Sequence, residues 1–284
     1  MLLRKKEEIE YWLNKYQIKD YDLIKDEKYG YVVNVNGHVN LINKNLTVIE
    51  VKFNQIKGSF NCSSNELETL KGCPEIVNGY FGCGNNKLIS LEYCPKIVKD
   101  HFDCSYNKLI SLEGGPEIAQ NFSCNVNELK SLEGGPKVIN GSFNCSGNQL
   151  TSLKGCPEII NRSFICSNNE LKSLEGCPKI VKENFYCDNN KLISLKGCPE
   201  MIEGMFCSEN NLDINGLKIL INMSNTSMIS LKNNKKLGEL QDVQSIKILK
   251  EKLKDIFNII EEKENLLNII NEDKLSKNIN LNKI

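Results

Sequence analysis

The chain has 284 residues, enough for one or two ordinary domains. Lys plus Arg and Asp plus Glu each total 36, so the basic excess that neutralises nucleic-acid phosphates is absent. No apolar run approaches the roughly 18 residues of a membrane helix, and the start MLLRKKEEIEYW lacks a signal peptide's apolar stretch. The expectation is a soluble, cytoplasmic protein without a membrane partner, whose thirteen cysteines are thiols.

In chain order, residues 4–16 have a helical pattern with Ile9, Trp12, Leu13 and Tyr16 on one face. Tyr31–Val35 and His38–Ile42 flank Asn36-Gly37, and Asn-Gly between β-rich runs predicts a hairpin because both residues tolerate positive φ. His38–Lys57 reads as a weak copy of the unit that follows, with Val39, Leu41, Leu46 and Ile49 in its apolar positions. Residues 1–57 are therefore expected to cap what comes next.

What comes next is a repeat, over residues 58–216. Cys62, Cys83, Cys104, Cys124, Cys145, Cys166, Cys187 and Cys207 recur every 20 or 21 residues. Phe stands two places before each cysteine, from Phe60 to Phe185, with Met205 in the last unit. Three places after each comes Asn, from Asn65 to Asn210. Two Leu columns follow, then G-C-P or G-G-P in nearly every unit, and an Ile, Val or Met two beyond each proline. Strand alternation sends Phe and Cys inward and the residue between them outward. The Asn is expected to turn inward and satisfy backbone groups of neighbouring coils. Replacing Asn148 should then be costly and replacing outward Asn144 neutral. The Leu columns and the aliphatic after proline are assigned to the core, and proline confines the far side to extended or 3₁₀ turns.

With Phe and Cys in the first two Leu places of L-x-L-x-x-N-x-L, residues 39–216 resemble the leucine-rich-repeat family. The Cys- and Pro-containing unit of about 21 residues is similar to bacterial and bacteriophage repeats. The fold that the resemblance implies is a leucine-rich-repeat solenoid with a parallel sheet on its concave face and an irregular convex side. An α+β N-terminal cap and a C-terminal segment, 217–284, flank it. Within that segment residues 239–271 carry an apolar stripe, Ile246, Leu249, Leu253, Ile256, Ile260, Leu267 and Ile270, interrupted by Lys263. Such a stripe either caps the solenoid or forms a coiled coil.

No catalytic chemistry is legible. His38 and His101 are the only histidines, and H-E-x-x-H, G-x-S-x-G and a phosphate-cradling glycine loop are all missing. The second cysteine column, Cys73, Cys94, Cys156, Cys177 and Cys198, becomes Gly115 and Gly135 in two units. That substitution suits packing and not metal ligation, and there is no C-x-x-C pair. The chain is read as a non-enzyme without cofactor or metal, expected to be a monomer that binds another protein. A nucleic-acid partner is not expected. By analogy, the phage-type flavour implies an inhibitor of a bacterial defence protein such as a CRISPR effector. A structural role through self-association of the C-terminal helix is the alternative.

Function must then come from the variable outward positions. The column between Phe and Cys ends in Ile165, Tyr186 and Phe206, expected to form one apolar strip that either binds a partner or is covered by residues 213–238. Tyr80 and His101, before the Phe column, and Tyr106 and Val126, just after the Cys, form a second cluster.

Overall fold

The computed structural model describes residues 2–210, 212–222, 228–232 and 234–281, without the side chains of Met205, Cys207, Lys235, Lys236 and the residues beyond 268. Each repeat unit makes one coil of a parallel β-solenoid. In one such coil Ile76–Val77 is a short strand, the chain turns at Asn78-Gly79, and Phe81–Gly82 is a second strand. The run from Cys83 to Pro95 then closes the coil. The Phe strands pair in register from coil to coil, Phe60 with Phe81, Phe81 with Phe102, and so on to Phe185 with Phe206. They form one ten-stranded sheet that runs from Val39–Asn40 to Met228–Ser230.

Ring stacking and burial explain the register. Consecutive Phe centroids from Phe60 to Phe206 lie between 5.1 and 5.8 Å apart, and every ring is buried. Such contacts contribute beyond their buried area. The two Leu columns are equally buried. The Asn column provides the polar complement. Asn148 Oδ1 accepts the Leu129 N–H of the coil before it at 3.1 Å, and its Nδ2 donates to the carbonyls of Cys124 and Cys145, each at 3.0 Å. Asn86, Asn107, Asn127, Asn169 and Asn190 repeat that arrangement.

The far side of the coil is more regular than expected. Its extended stretches pair between coils as two five-stranded sheets, one ending at Ile97–Val98 and the other starting at Ile118–Ala119. Pro116 to Phe122 is one residue shorter than Pro95 to Phe102, and at that shortened corner the second sheet breaks. A groove of 1190 Å³ opens there, where Gly115 and Gly135 stand in the Cys column. The aliphatic residue two beyond proline, expected in the core, lies outside it. Ile97, Ile118, Val138 and Ile159 point outward, while the next residues, Val98, Ala119, Ile139 and Ile160, are buried.

At the N-terminus helix α1 (Lys6–Lys15) buries Ile9, Trp12 and Leu13, with the Trp12 ring 6.1 Å from that of Phe53. The hairpin is not at Asn36-Gly37. It joins β1 (Tyr21–Asp26) to β2 (Gly30–Val35) in antiparallel register, and β2 pairs in parallel with Phe53–Ile56. Asn36-Gly37 is the corner between the two sheets, the place Asn78-Gly79 takes two coils on. Gly58 and Gly79 link these corners through backbone bonds at 3.0 Å.

At the other end the coils continue past the recognisable repeat. Met228–Ser230 pairs with Met205–Cys207, Leu231 is buried, and Asn234 Nδ2 donates to the Ser208 and Leu231 carbonyls at 2.7 and 2.8 Å. This strand extends the sheet at its edge and does not fold back over its face. Its outer edge is closed by Ile229 N–H donating to the Gln244 carbonyl at 2.9 Å, which removes a site for unwanted strand pairing. Helix α2 (Ile246–Leu281) follows and buries only Ile246, Leu249 and Leu253 among its described side chains. Among the described residues no helix is long and apolar enough to cross a membrane.

Candidate binding face

Ile165 and Tyr186 stand on neighbouring strands of the ten-stranded sheet, paired in register and half-buried. Phe206 does not join them. It pairs with Phe185, its ring stacks on Phe185 at 5.4 Å, and it is fully buried. Tyr186 aligns instead with Cys207. The last unit is slipped by one residue, and in a strand a slip of one exchanges inside for outside. Ser208, fully buried, takes the inward place assigned to Cys207. The strip therefore shrinks to two residues.

Of the second cluster, Tyr80 and His101 are brought together on adjacent coils, and their surroundings are more built than the sequence suggests. Tyr80 and His101 rings lie 5.6 Å apart, tilted at 52°. The Tyr80 hydroxyl donates to Asp103 Oδ2 at 3.3 Å. Its ring lies over Gly82, where any Cβ would collide with it, so the small residue is what lets the ring lie against the sheet. Asp103 Oδ1 accepts the Ser105 N–H at 2.9 Å and the Ser105 hydroxyl at 2.5 Å. Burial, helped by the Asp103 carboxylate, pushes the Tyr80 hydroxyl well above its ordinary pKa. Burial also lowers that of His101 against the opposing pull of Asp103 and Asp100, which favours a neutral ring. Ser63 Oγ is buried close enough to Tyr80 to bear on its titration, yet is not aligned as a hydrogen bond.

Tyr106 and Val126, five residues further along their coils, share a backbone feature that the sequence does not announce. The residue before each ladder Asn is left-handed in seven successive coils, with φ between 52° and 65°. Four coils fill the place with Asn85, Gly147, Asn168 and Asn189, residue types that adopt this region readily, and a fifth with the small Ser64. The other two carry Tyr106 and Val126, both at φ 54° and exposed by 56% and 41%. A bulky or β-branched residue at positive φ is an outlier. These two are adjacent, strained and bare.

All twelve described cysteines are free, and burial pushes the thiols of Cys104, Cys124, Cys145 and Cys166 well up, away from the reactive thiolate. Among the described residues no group of His, Cys, Asp and Glu could hold a metal ion. Comparison with known protein families, curated proteins and solved structures gave no match.

Proposed function

We propose that this chain is a binding protein of leucine-rich-repeat type that holds another protein against the ten-stranded sheet, between Tyr80 and His101 at the start of its strands and Tyr106 and Val126 at their end. What supports the repeat type is the Asn ladder, which ties one strand per coil to the backbone of its neighbour. What carries the function is Tyr106 and Val126. Strain at a non-glycine residue persists where it has a use, and large apolar side chains in the open are typical of contact anchors. The partner implied by the phage-type resemblance is a bacterial defence protein.

The test is a variant that relieves the strain. Tyr106→Asn with Val126→Asn should raise stability by about 0.5–1 kcal/mol per site, because Asn accepts the left-handed region. The same variant, used as bait in host extract, should lose proteins that the parent captures. Equal capture by both baits, or a less stable variant, would defeat the reading.

A second reading has its own observation. Past the turns that pack on the solenoid, α2 exposes Ile259, Leu266 and Leu267. With Ile256 and Ile260 they make an apolar face suited to a second copy of the helix. Sedimentation equilibrium should then give a dimer that Leu267→Glu converts to monomer. A monomeric parent at about ten micromolar, affinity typical of weak association, removes this reading.

A further inference from the structure

Over the seven consecutive coils from Phe60 to Phe185, Lys and Arg are absent from the outward places of the ten-stranded sheet, and Lys232 takes such a place only on its last strand. The outward places just before and after each Phe, and just after each inward Cys, read Ser59, Asn61, Ser63; Tyr80, Gly82, Gly84; His101, Asp103, Ser105; Asn121, Ser123, Asn125 in the first four coils. The next three coils read Ser142, Asn144, Ser146; Ser163, Ile165, Ser167; Asn184, Tyr186, Asp188. The chain holds 36 Lys and Arg, and none falls at these 21 places, whereas two carboxylates do. Elsewhere acidic side chains meet cations, as in Lys154–Glu133 and Lys196–Glu175, each at 2.8 Å. Among the described residues no ion pair engages Asp103 or Asp188.

Both carboxylates are nevertheless held in place. Asp103 is fixed by Ser105 and Tyr80. Asp188 Oδ1 accepts the Ser167 hydroxyl at 2.6 Å, and Oδ2 accepts the Asn189 amide at 3.2 Å. Neutral donors orient a carboxylate without cancelling its charge, so each stays available to a cation. Aromatic rings stand close by on each side, Tyr80 and His101 in the Asp103 coil and the one before it, and Tyr186 two residues from Asp188. A carboxylate beside an aromatic face suits guanidinium and ammonium groups together.

We infer that this face docks a protein segment presenting arginine or lysine side chains, with Asp103 and Asp188 as its two anchors. The inference rests on the protein-binding reading and adds to it the chemistry of the partner. The anchors lie four strands apart, about 19 Å at the usual strand spacing, a span of about six extended residues.

A random dodecapeptide display library, selected on the full chain, tests this. Peptides held by the parent should be rich in Arg and Lys. Their affinity should fall about tenfold or more for Asp103→Asn with Asp188→Asn, as for truncated charge pairs, and should weaken with salt. Asn is isosteric and keeps an oxygen for the serine hydroxyls, so an unchanged melting temperature is expected to confirm an intact fold. Glu117→Gln with Glu158→Gln, on the opposite sheet, should leave the selection unaltered. Binders without cationic excess, cationic binders that hold the Asn variant equally well, or a library yielding no binder would each overturn the inference. Uncharged binders lost in the Tyr106/Val126 variant would leave the protein-binding reading standing. Host proteins captured equally by parent and that variant would remove the broader reading instead.

Discussion

Phe206→Ala is expected to destabilise the protein by about 3–5 kcal/mol, the range for removing a buried aromatic ring. Tyr186→Ala, one column outward on the neighbouring strand, should cost less than about 1 kcal/mol. The contrast follows from the slipped register at Met205–Cys207, which stacks Phe206 on Phe185. Urea unfolding of both variants decides the matter. A small loss at Phe206 similar to that at Tyr186 would return the ring to the surface and restore the three-residue strip.

The second large effect belongs to the Asn ladder. Asn148→Ala removes an acceptor for the Leu129 N–H and donors for two carbonyls, all in buried surroundings. Each group left unpaired costs about 1–3 kcal/mol, and part of that is recovered by local relaxation, so a loss of about 2–3 kcal/mol is expected. Asn144 is a poor neutral comparator after all. Its Oδ1 accepts the Ser146 N–H at 3.1 Å and the Ser146 hydroxyl at 2.7 Å. Ser123, on the same face and without a side-chain hydrogen bond among the described residues, takes its place, and Ser123→Ala should change stability by less than about 0.5 kcal/mol. Equal losses at Asn148 and Ser123 would contradict the inward placement of the ladder.

These two cases show what a sequence of this kind reveals. Columns that recur in every unit, such as Phe102, Cys104 and Asn107, declare their inward positions because stacking the same side chain coil after coil is what a solenoid does. A single departure is harder to place. Aligning the last unit on Cys207 put Met205 in the Phe column, although Phe206 lies 21 residues after Phe185, the usual spacing. The Ile-Val and Ile-Ile pairs beyond proline are apolar at both places, so composition could not say which member points inward. The local turn preference of Asn36-Gly37 favours a hairpin, and pairing with the next coil overrides it. Ile229, Leu231, Asn234 and Leu237 make a coil without Phe, Cys or Pro, leaving only the Asn spacing as a signal. Of the candidate face, the residues were legible but the left-handed backbone beneath Tyr106 and Val126 was not. Nothing in a tyrosine or a valine announces positive φ; only their alignment with Ser64, Asn85 and Gly147 could have.

The Asn ladder also gives the molecule a direction. Every ladder side chain reaches back to the coil that precedes it: Asn148 completes Leu129, and Asn234 completes Leu212 by accepting its N–H at 2.9 Å. No coil can finish itself. During synthesis, which emits the N-terminus first, the newest coil always waits for its successor, and the growing end stays open until Asn234 arrives. Residues 228–237, which look least like a repeat, supply what the last unit cannot supply for itself, and so determine where the array is able to stop.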